Sequence, residues 1–335
     1  MRRFLEQVVA GRDLSSDEAR RAFVQIMSGE VEAPEIAALL AGLATKGETV
    51  EEIVGAAWAM REQVTPVCCD PEAIDTCGTG GDGISTFNVS TTAALIAAAA
   101  GATVAKHGNR THTRVSGSAE VLEALGVNIE ADVPTVERCL SEVGFGFLYA
   151  RALHPAMKYA APVRAALGIR TIFNLLGPLM NPAGVRRQVI GVPRAAWTET
   201  LAEALRELGA QRAWIVHGED GLCDLTVTGA TRVTELAGGT IRTFRVTPED
   251  GGLQRAKLQE LRVDSPAASA EAVRRILAGE PGPRRDHALL NAAAALIVAD
   301  QAADLPKGVA RAAQVVDSGA AARTLELLIE RSHGR

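Results

Sequence analysis

The stretch Asp75-Thr-Cys-Gly-Thr-Gly-Gly-Asp-Gly-Ile-Ser-Thr-Phe-Asn-Val-Ser-Thr91 constrains the fold more than any other part of the chain. It leaves a short apolar run at 73–76 that reads as a strand, and it enters an Ala-rich run at 90–100 that reads as a helix. Gly78, Gly80 and Gly81 allow positive φ and a close backbone approach to a ligand. Ser90, Thr91 and Thr92 put hydroxyls at a helix N-terminus, where free N–H groups and the helix dipole favour anions. The segment therefore predicts a phosphate or pyrophosphate cradle. It fits neither G-x-G-x-x-G nor G-x-x-x-x-G-K-[ST], so the dinucleotide and Walker readings are weak. A tight turn that binds nothing is the plainer alternative, and the density of glycine, Asp and hydroxyl groups argues against it.

The flanking chain supplies the rest of the architecture. Ser15 and Glu18, and again Thr49 and Glu52, are spaced as capping boxes. Pro34 suits a first helical turn and Gly47 a C-terminal cap. Residues 1–65 show no strand pattern and read as a small all-helical domain whose apolar faces suit docking against a second subunit. Beyond Pro66, strands are expected at 103–106, 145–149, 189–192 and 213–216, with helices at 119–125, 135–143 and 197–208. Such alternation predicts an α/β domain with a mostly parallel central sheet covered by helices, spanning 66–335. Runs at 231–236 and 240–246 flank Gly238-Gly239 as a hairpin. Helices are expected at 267–278, 285–299 and 307–332.

Charge and cysteine usage narrow the function classes. A net charge of -5 gives no global attraction to nucleic acid or an anionic membrane surface. The apolar run at 93–100 is too short to span a bilayer. Five cysteines, an odd number without a C-x-x-C pair, point to free thiols and a cytoplasmic setting.

A second polar stretch, Lys106-His-Gly-Asn-Arg110, follows the strand at 103–106. The C-terminal ends of parallel strands are where α/β folds bind ligands. Lys106 suits a phosphate there, and Asn109 an oriented hydrogen bond. Ser116-Gly117-Ser118 opens the next helix and offers a second anion site. In order and spacing, GTGGD, FNVST, KHGNR and SGSAEVLEALGV resemble the anthranilate phosphoribosyltransferase family. The runs His154-Pro-Ala-Met-Lys158, Arg164, Arg170-Thr-Ile-Phe-Asn-Leu-Leu-Gly-Pro-Leu-Met-Asn-Pro182 and Val216-His-Gly-Glu-Asp-Gly221 extend the likeness over roughly residues 5–330.

The resemblance implies phosphoribosyl pyrophosphate as donor, bound with Mg²⁺, and anthranilate or a similar aromatic acid as acceptor. It also implies a homodimer formed through the helical domain, joined by helices near 165–185. On the matching positions, Gly78, Thr79, Gly81, Asp82, Thr86, Asn88, Ser90, Thr91, Lys106, Gly108, Thr113 and Ser118 would hold the donor. Asn109 and Arg164 would hold the acceptor, with Gly78, His107, His154, Gly177 and Pro178 lining its path. Ser90 and Asp224 would touch metal. Arg164 offers a planar fork matched to a carboxylate. On one predicted helix it would stand about 80° around from His154. An arylamine needs no strong base before attack, and either His107 or His154 can take its proton afterward.

Two departures from the family pattern matter. Cys223-Asp224 stands where the family carries Asp-Glu, and a thiol is a poor Mg²⁺ ligand. The second metal site is therefore expected to be impaired, with Cys223 an inert, part-buried thiol. In Thr111-His-Thr-Arg-Val115, His112 is bulky where relatives are small, Arg114 carries the basic group one position early, and Val115 cannot. That loop is expected to lie over the donor. The competing readings are transfer to a different aromatic acid or amine, nucleoside phosphorolysis, and a nucleic-acid-binding paralogue.

Overall fold

The structure, a computed structural model, describes residues 1–111, 115 and 117–335. The chain begins with α1 (Arg2–Val9), α2 (Ser16–Met27), α3 (Ala33–Lys46) and α4 (Val50–Arg61). Both capping boxes form: Glu18 N donates to Ser15 Oγ at 3.3 Å and Glu52 N to Thr49 Oγ1 at 3.3 Å, with each Glu accepting in return from the cap N–H. Glu52 is fully buried and also accepts from Leu14 N and Lys46 Nζ, so one carboxylate joins the starts of two helices to the end of a third. Pro34 lies in the first turn of α3, and Gly47 ends that helix at φ +91°.

Next come β1 (Ile74–Gly78), α5 (Val89–Ala99), β2 (Val104–Gly108), α6 (Ser118–Leu125), α7 (Val133–Val143) and β3 (Phe145–Tyr149). Then α8 (Ala150–Leu153), α9 (Met157–Leu167) and α10 (Phe173–Leu176) lead to β4 (Arg187–Gly191), α11 (Trp197–Glu207) and β5 (Arg212–Gly218). The hairpin β6 (Thr231–Ala237) and β7 (Thr240–Val246) precedes α12 (Leu258–Leu261), α13 (Pro266–Leu277), α14 (Pro283–Val298), α15 (Leu305–Asp317) and α16 (Ala320–Ser332). The single helix expected at 307–332 is two: Gly319 at φ +72° breaks it, a left-handed turn that apolar periodicity does not reveal.

The seven strands form one sheet in the order β3-β2-β1-β4-β5-β6-β7, with β1 to β5 parallel and the last two antiparallel. One face packs on α5 and α14, whose buried residues are largely Ala, Leu and Ile. The other face, through Ile190 and Ile215, joins α11, α9, α10 and the helices α1–α4 in a second apolar core. The chain steps outward from β1 through β2 to β3, then returns to β4 on the opposite side. Between β1 and β4 the direction of winding reverses, the crevice where such sheets take ligands.

Candidate active site

Four parallel strands end in glycine at this crevice: Gly78 on β1, Gly108 on β2, Gly191 on β4 and Gly218 on β5. A Cβ at Gly191 would fall 1.6 Å from the Cys223 carbonyl oxygen, so bare backbone there lets the 219–224 turn close over the strand ends. Thr79 N donates to Gly191 O at 2.9 Å, continuing the β1–β4 pairing into the Gly-rich loop. Asp82 ties that loop to the same turn, its Oδ2 accepting from Cys223 N at 3.2 Å.

The N-terminus of α5 forms the floor. Asn88 caps it, Oδ1 accepting from Thr91 N at 3.0 Å and from Ser90 Oγ at 3.3 Å. Lys106 is almost wholly buried beneath; its Nζ donates to Thr76 O and, at 3.3 Å, to Ser90 Oγ. Burial pushes the Lys106 ammonium below its usual range and the buried Asp75 carboxyl above its own, while the opposite charge of each resists the other's shift. Thr86 Oγ1 and Thr91 Oγ1 are buried with no hydrogen-bond partner among the described residues. Buried hydroxyls are normally satisfied, so these two are exceptions to the usual pattern.

Residue alternation along β2 sends Lys106 to the α5 side and His107 to the opposite side. The His107 and His154 Nε2 atoms are 3.0 Å apart, and His107 Nδ1 is 3.2 Å from Gly177 O. A carbonyl only accepts, so His107 carries its proton on Nδ1 and its Nε2 is bare. His154 must then donate from Nε2, which leaves His154 Nδ1 as a bare acceptor. That atom is buried without a partner among the described residues. Burial, together with the adjacent His154, pushes His107 down to about 3; burial alone pushes His154 down to about 4. Both rings are neutral near pH 7.

His154 and Arg164 do not share a helix. Pro155 disfavours helical backbone in the residue before it, and His154 ends α8 at φ -120° while Arg164 sits in the last turn of α9. The helical-wheel relation between them therefore does not apply. Arg164 is half-buried over the Phe173 ring, 5.0 Å from its centroid. Asn109 is exposed, its Oδ1 accepting from Arg110 N. No hydrogen bond among the described residues joins either to the histidine pair. Pro178 O accepts from Gln188 Nε2 at 2.7 Å. Gly108 makes room for Ser118, whose Oγ would lie 2.2 Å from a Cβ there, and Ser118 Oγ itself reaches Asn109 O at 3.5 Å. Thr113, with His112, Arg114 and Ser116, lies outside the described residues.

A buried knot below the site has no local signal in the sequence. Asp75 Oδ1 accepts from His107 N at 3.2 Å, and Asp75 Oδ2 from Asn181 Nδ2 at 2.9 Å. Asn181 Nδ2 also reaches Ala105 O at 2.8 Å, and its Oδ1 accepts from Ala183 N. Asn181 is visible within the run ending at Pro182, but its partners are far away in the chain.

Two family models match. One described as the helical bundle domain of a glycosyl transferase family covers residues 2–64, and one described as its a/b domain covers 70–322. The anthranilate phosphoribosyltransferase of Parvibaculum lavamentivorans is 52% identical over 331 residues, 99% of this chain and 97% of that protein. The chain belongs to the anthranilate phosphoribosyltransferase family. The relative from Rhodospirillum rubrum is 52% identical over 97% of the chain and 94% of its own length. Among solved structures, the Thermus thermophilus family member superposes with a TM-score of 0.93 at 44% identity, covering 98% of this chain and 99% of that one. The Saccharomyces cerevisiae member, solved in complex with PRPP and Mg, does so at 0.91 and 27% identity, covering 99% and 98%. Family membership extends through both the helical region and the sheet, so fold and enzyme class come from the whole chain rather than from one motif.

Proposed function

We infer that the protein transfers the 5-phosphoribosyl group of phosphoribosyl pyrophosphate to the amino group of anthranilate, releasing pyrophosphate, as a step of tryptophan biosynthesis. The observation that carries this reading is the end of β2, where adjacent residues point to opposite faces of the sheet. Lys106 reaches Ser90 Oγ at the capped N-terminus of α5, and His107 Nε2 accepts from His154 Nε2, which leaves His154 Nδ1 bare.

In this reading the donor's phosphates lie on the loop 78–82, on Thr86, Asn88, Ser90 and Thr91, and near Lys106, with Gly108, Thr113 and Ser118 along the ribose side. Arg164 takes the acceptor's carboxylate and Asn109 helps to orient it. The C1–O bond to pyrophosphate breaks with both electrons leaving on oxygen, and the amine nitrogen forms the new bond to C1. Orientation and stabilisation of the departing charge do most of the work. The amine proton passes to His154 Nδ1, an acceptor with no competing partner. As His154 Nδ1 gains that proton, its Nε2 proton can pass to His107. A weak base suffices, because an arylammonium is itself strongly acidic.

Mg²⁺ bound to the donor would neutralise pyrophosphate charge. Ser90 and the buried Asp224 line one small cavity with Thr76 and Cys77, and their oxygens fit a hard cation that draws its other ligands from phosphate. Cys223 does not fit: its thiol is soft, and its Sγ lies 3.9 Å from Gly80 O. Among the described residues no group of three or more His, Cys, Asp or Glu forms a metal site without the substrate.

We further propose a cytoplasmic homodimer built through residues 1–65 and the helices near 165–185. Val9, Trp58, Tyr159 and Ile169 expose large apolar side chains in this part of the molecule, which supports a self-association surface. Sedimentation of the purified protein at monomer mass would refute the dimer. No helix among the described residues is long and apolar enough to cross a membrane. The test of function is loss of anthranilate fluorescence with donor across a magnesium titration. Consumption requiring both donor and Mg²⁺ supports the reading. Absence of consumption with donor binding intact overturns anthranilate as acceptor and directs the search to other aromatic acids.

A further inference from the structure

Arg170 lies against the Gly-rich loop, yet no donor role follows from the motif that contains it. Its Nη1 is 3.4 Å from both Gly80 O and Gly81 O. A Cβ at Gly81 would fall 1.8 Å from that nitrogen, so the guanidinium occupies the space a side chain would need. The guanidinium carbon lies over the Trp197 ring at the start of α11, 4.8 Å from its centroid; Arg194 lies over the same ring at 5.0 Å. Arg170 Nε and Nη2 are buried without a hydrogen-bond partner among the described residues. Unmade buried donors destabilise a fold. A residue kept solely to support the fold would be a poor choice here.

Peptide geometry says what the contact does. All peptide bonds described are trans, and in a trans peptide the C=O and the following N–H point in opposite directions. With Gly80 O and Gly81 O turned toward the guanidinium, the N–H groups of Gly81 and Asp82 are turned away from it. Gly80 at φ +63° and Gly81 at φ +84° hold a backbone that side chains rarely adopt, so the direction of these N–H groups depends on glycine at both positions.

We propose that Arg170 is a positioning residue that, braced by Trp197, orients the Gly81 and Asp82 N–H groups toward the diphosphate of the donor. This rests on the donor reading above and adds the residue that sets the loop's polarity.

The test is binding of inorganic pyrophosphate with Mg²⁺, by calorimetry, to the full-length wild type, Arg170→Met, Arg170→Lys and Trp197→Leu, with donor and acceptor KM from steady-state rates. Arg170→Met keeps the aliphatic stem and removes the charged fork. It is expected to weaken pyrophosphate binding and raise donor KM about tenfold, with acceptor KM within twofold and no drop in Tm. Arg170→Lys restores the charge but not the fork and recovers only part of the loss. Trp197→Leu shows a smaller loss of the same kind, and adding it to Arg170→Met produces little further effect. Unchanged pyrophosphate binding in Arg170→Met overturns the proposal, as does an equal rise in both KM values or a fully additive double variant. Wild type that binds no pyrophosphate overturns the donor reading itself.

Discussion

His287 should be a stability defect that a single substitution repairs. It lies on α14, fully buried, edge-on to Phe87 with ring centroids 5.9 Å apart. Neither ring nitrogen has a hydrogen-bond partner among the described residues. A neutral imidazole must carry one N–H, and an unmade buried donor costs about 1–3 kcal/mol. His287→Leu keeps a similar volume in an apolar helix face and removes that penalty. Unfolding entropy near 2.1 cal/mol/K per residue makes 1 kcal/mol worth about 1.4 °C for this chain. At pH 7.5 the variant should therefore melt about 1.5–4 °C above wild type.

Acid should widen the gap. Burial pushes His287 down to about 4, well below its usual 6.5. Between those values the unfolded chain binds more protons than the native one, so stability falls as pH falls through that window. At pH 5 this amounts to about 2 kcal/mol for His287, which the Leu variant is spared. Differential scanning calorimetry at pH 7.5 and pH 5 measures both effects. A variant melting below wild type at pH 7.5, or a gap that does not grow at pH 5, refutes the reasoning.

Three further outcomes are expected at the active site. Arg164→Ala should raise KM for anthranilate roughly 10- to 100-fold through loss of a charge-assisted fork, leaving donor KM near wild type in the same steady-state assay. His154→Ala should lower kcat about 100-fold, and adding His107→Ala should lower it little more, because His107 receives the proton through His154. Full turnover in the double variant would remove both rings from proton handling. Cys223→Asp combined with Asp224→Glu should reduce the magnesium needed for half-maximal rate several-fold; an unchanged magnesium curve would show that Cys223 does not weaken metal binding.

The most legible parts of this chain were those whose causes are local. The capping boxes at Ser15 and Thr49 and the Gly-rich exit from β1 are set by residues within a few positions of each other, and the structure realises them. The strand at 145–149 is bounded as expected. Where the cause is distant, the sequence is silent. Asn181 knots β1 and β2 to the turn after Pro182 across a separation of 106 residues from Asp75, and neither residue type nor spacing signals the pairing. The single helix expected to carry both His154 and Arg164 is broken at Pro155, which disfavours helical backbone in the residue before it. The contact of Arg170 with two carbonyls of the Gly-rich loop likewise has no local signal, because the partners lie about 90 residues away.

The same separation of local and distant causes bears on Cys223. Its backbone is fixed from outside: Gly191 lacks the Cβ that would block its carbonyl, and Asp82 receives its N–H. Leu222 on one side is fully buried in the sheet core, and Leu225 N donates to Asn291 Oδ1 just beyond. None of these restraints uses the side chain at 223. Under the proposed metal role, a thiol in place of a carboxylate changes the ligand chemistry offered to Mg²⁺ and leaves the turn in place. The departure from the family pattern is therefore one of ligand chemistry, and its effect is expected in the magnesium dependence of the rate before it appears in the melting temperature.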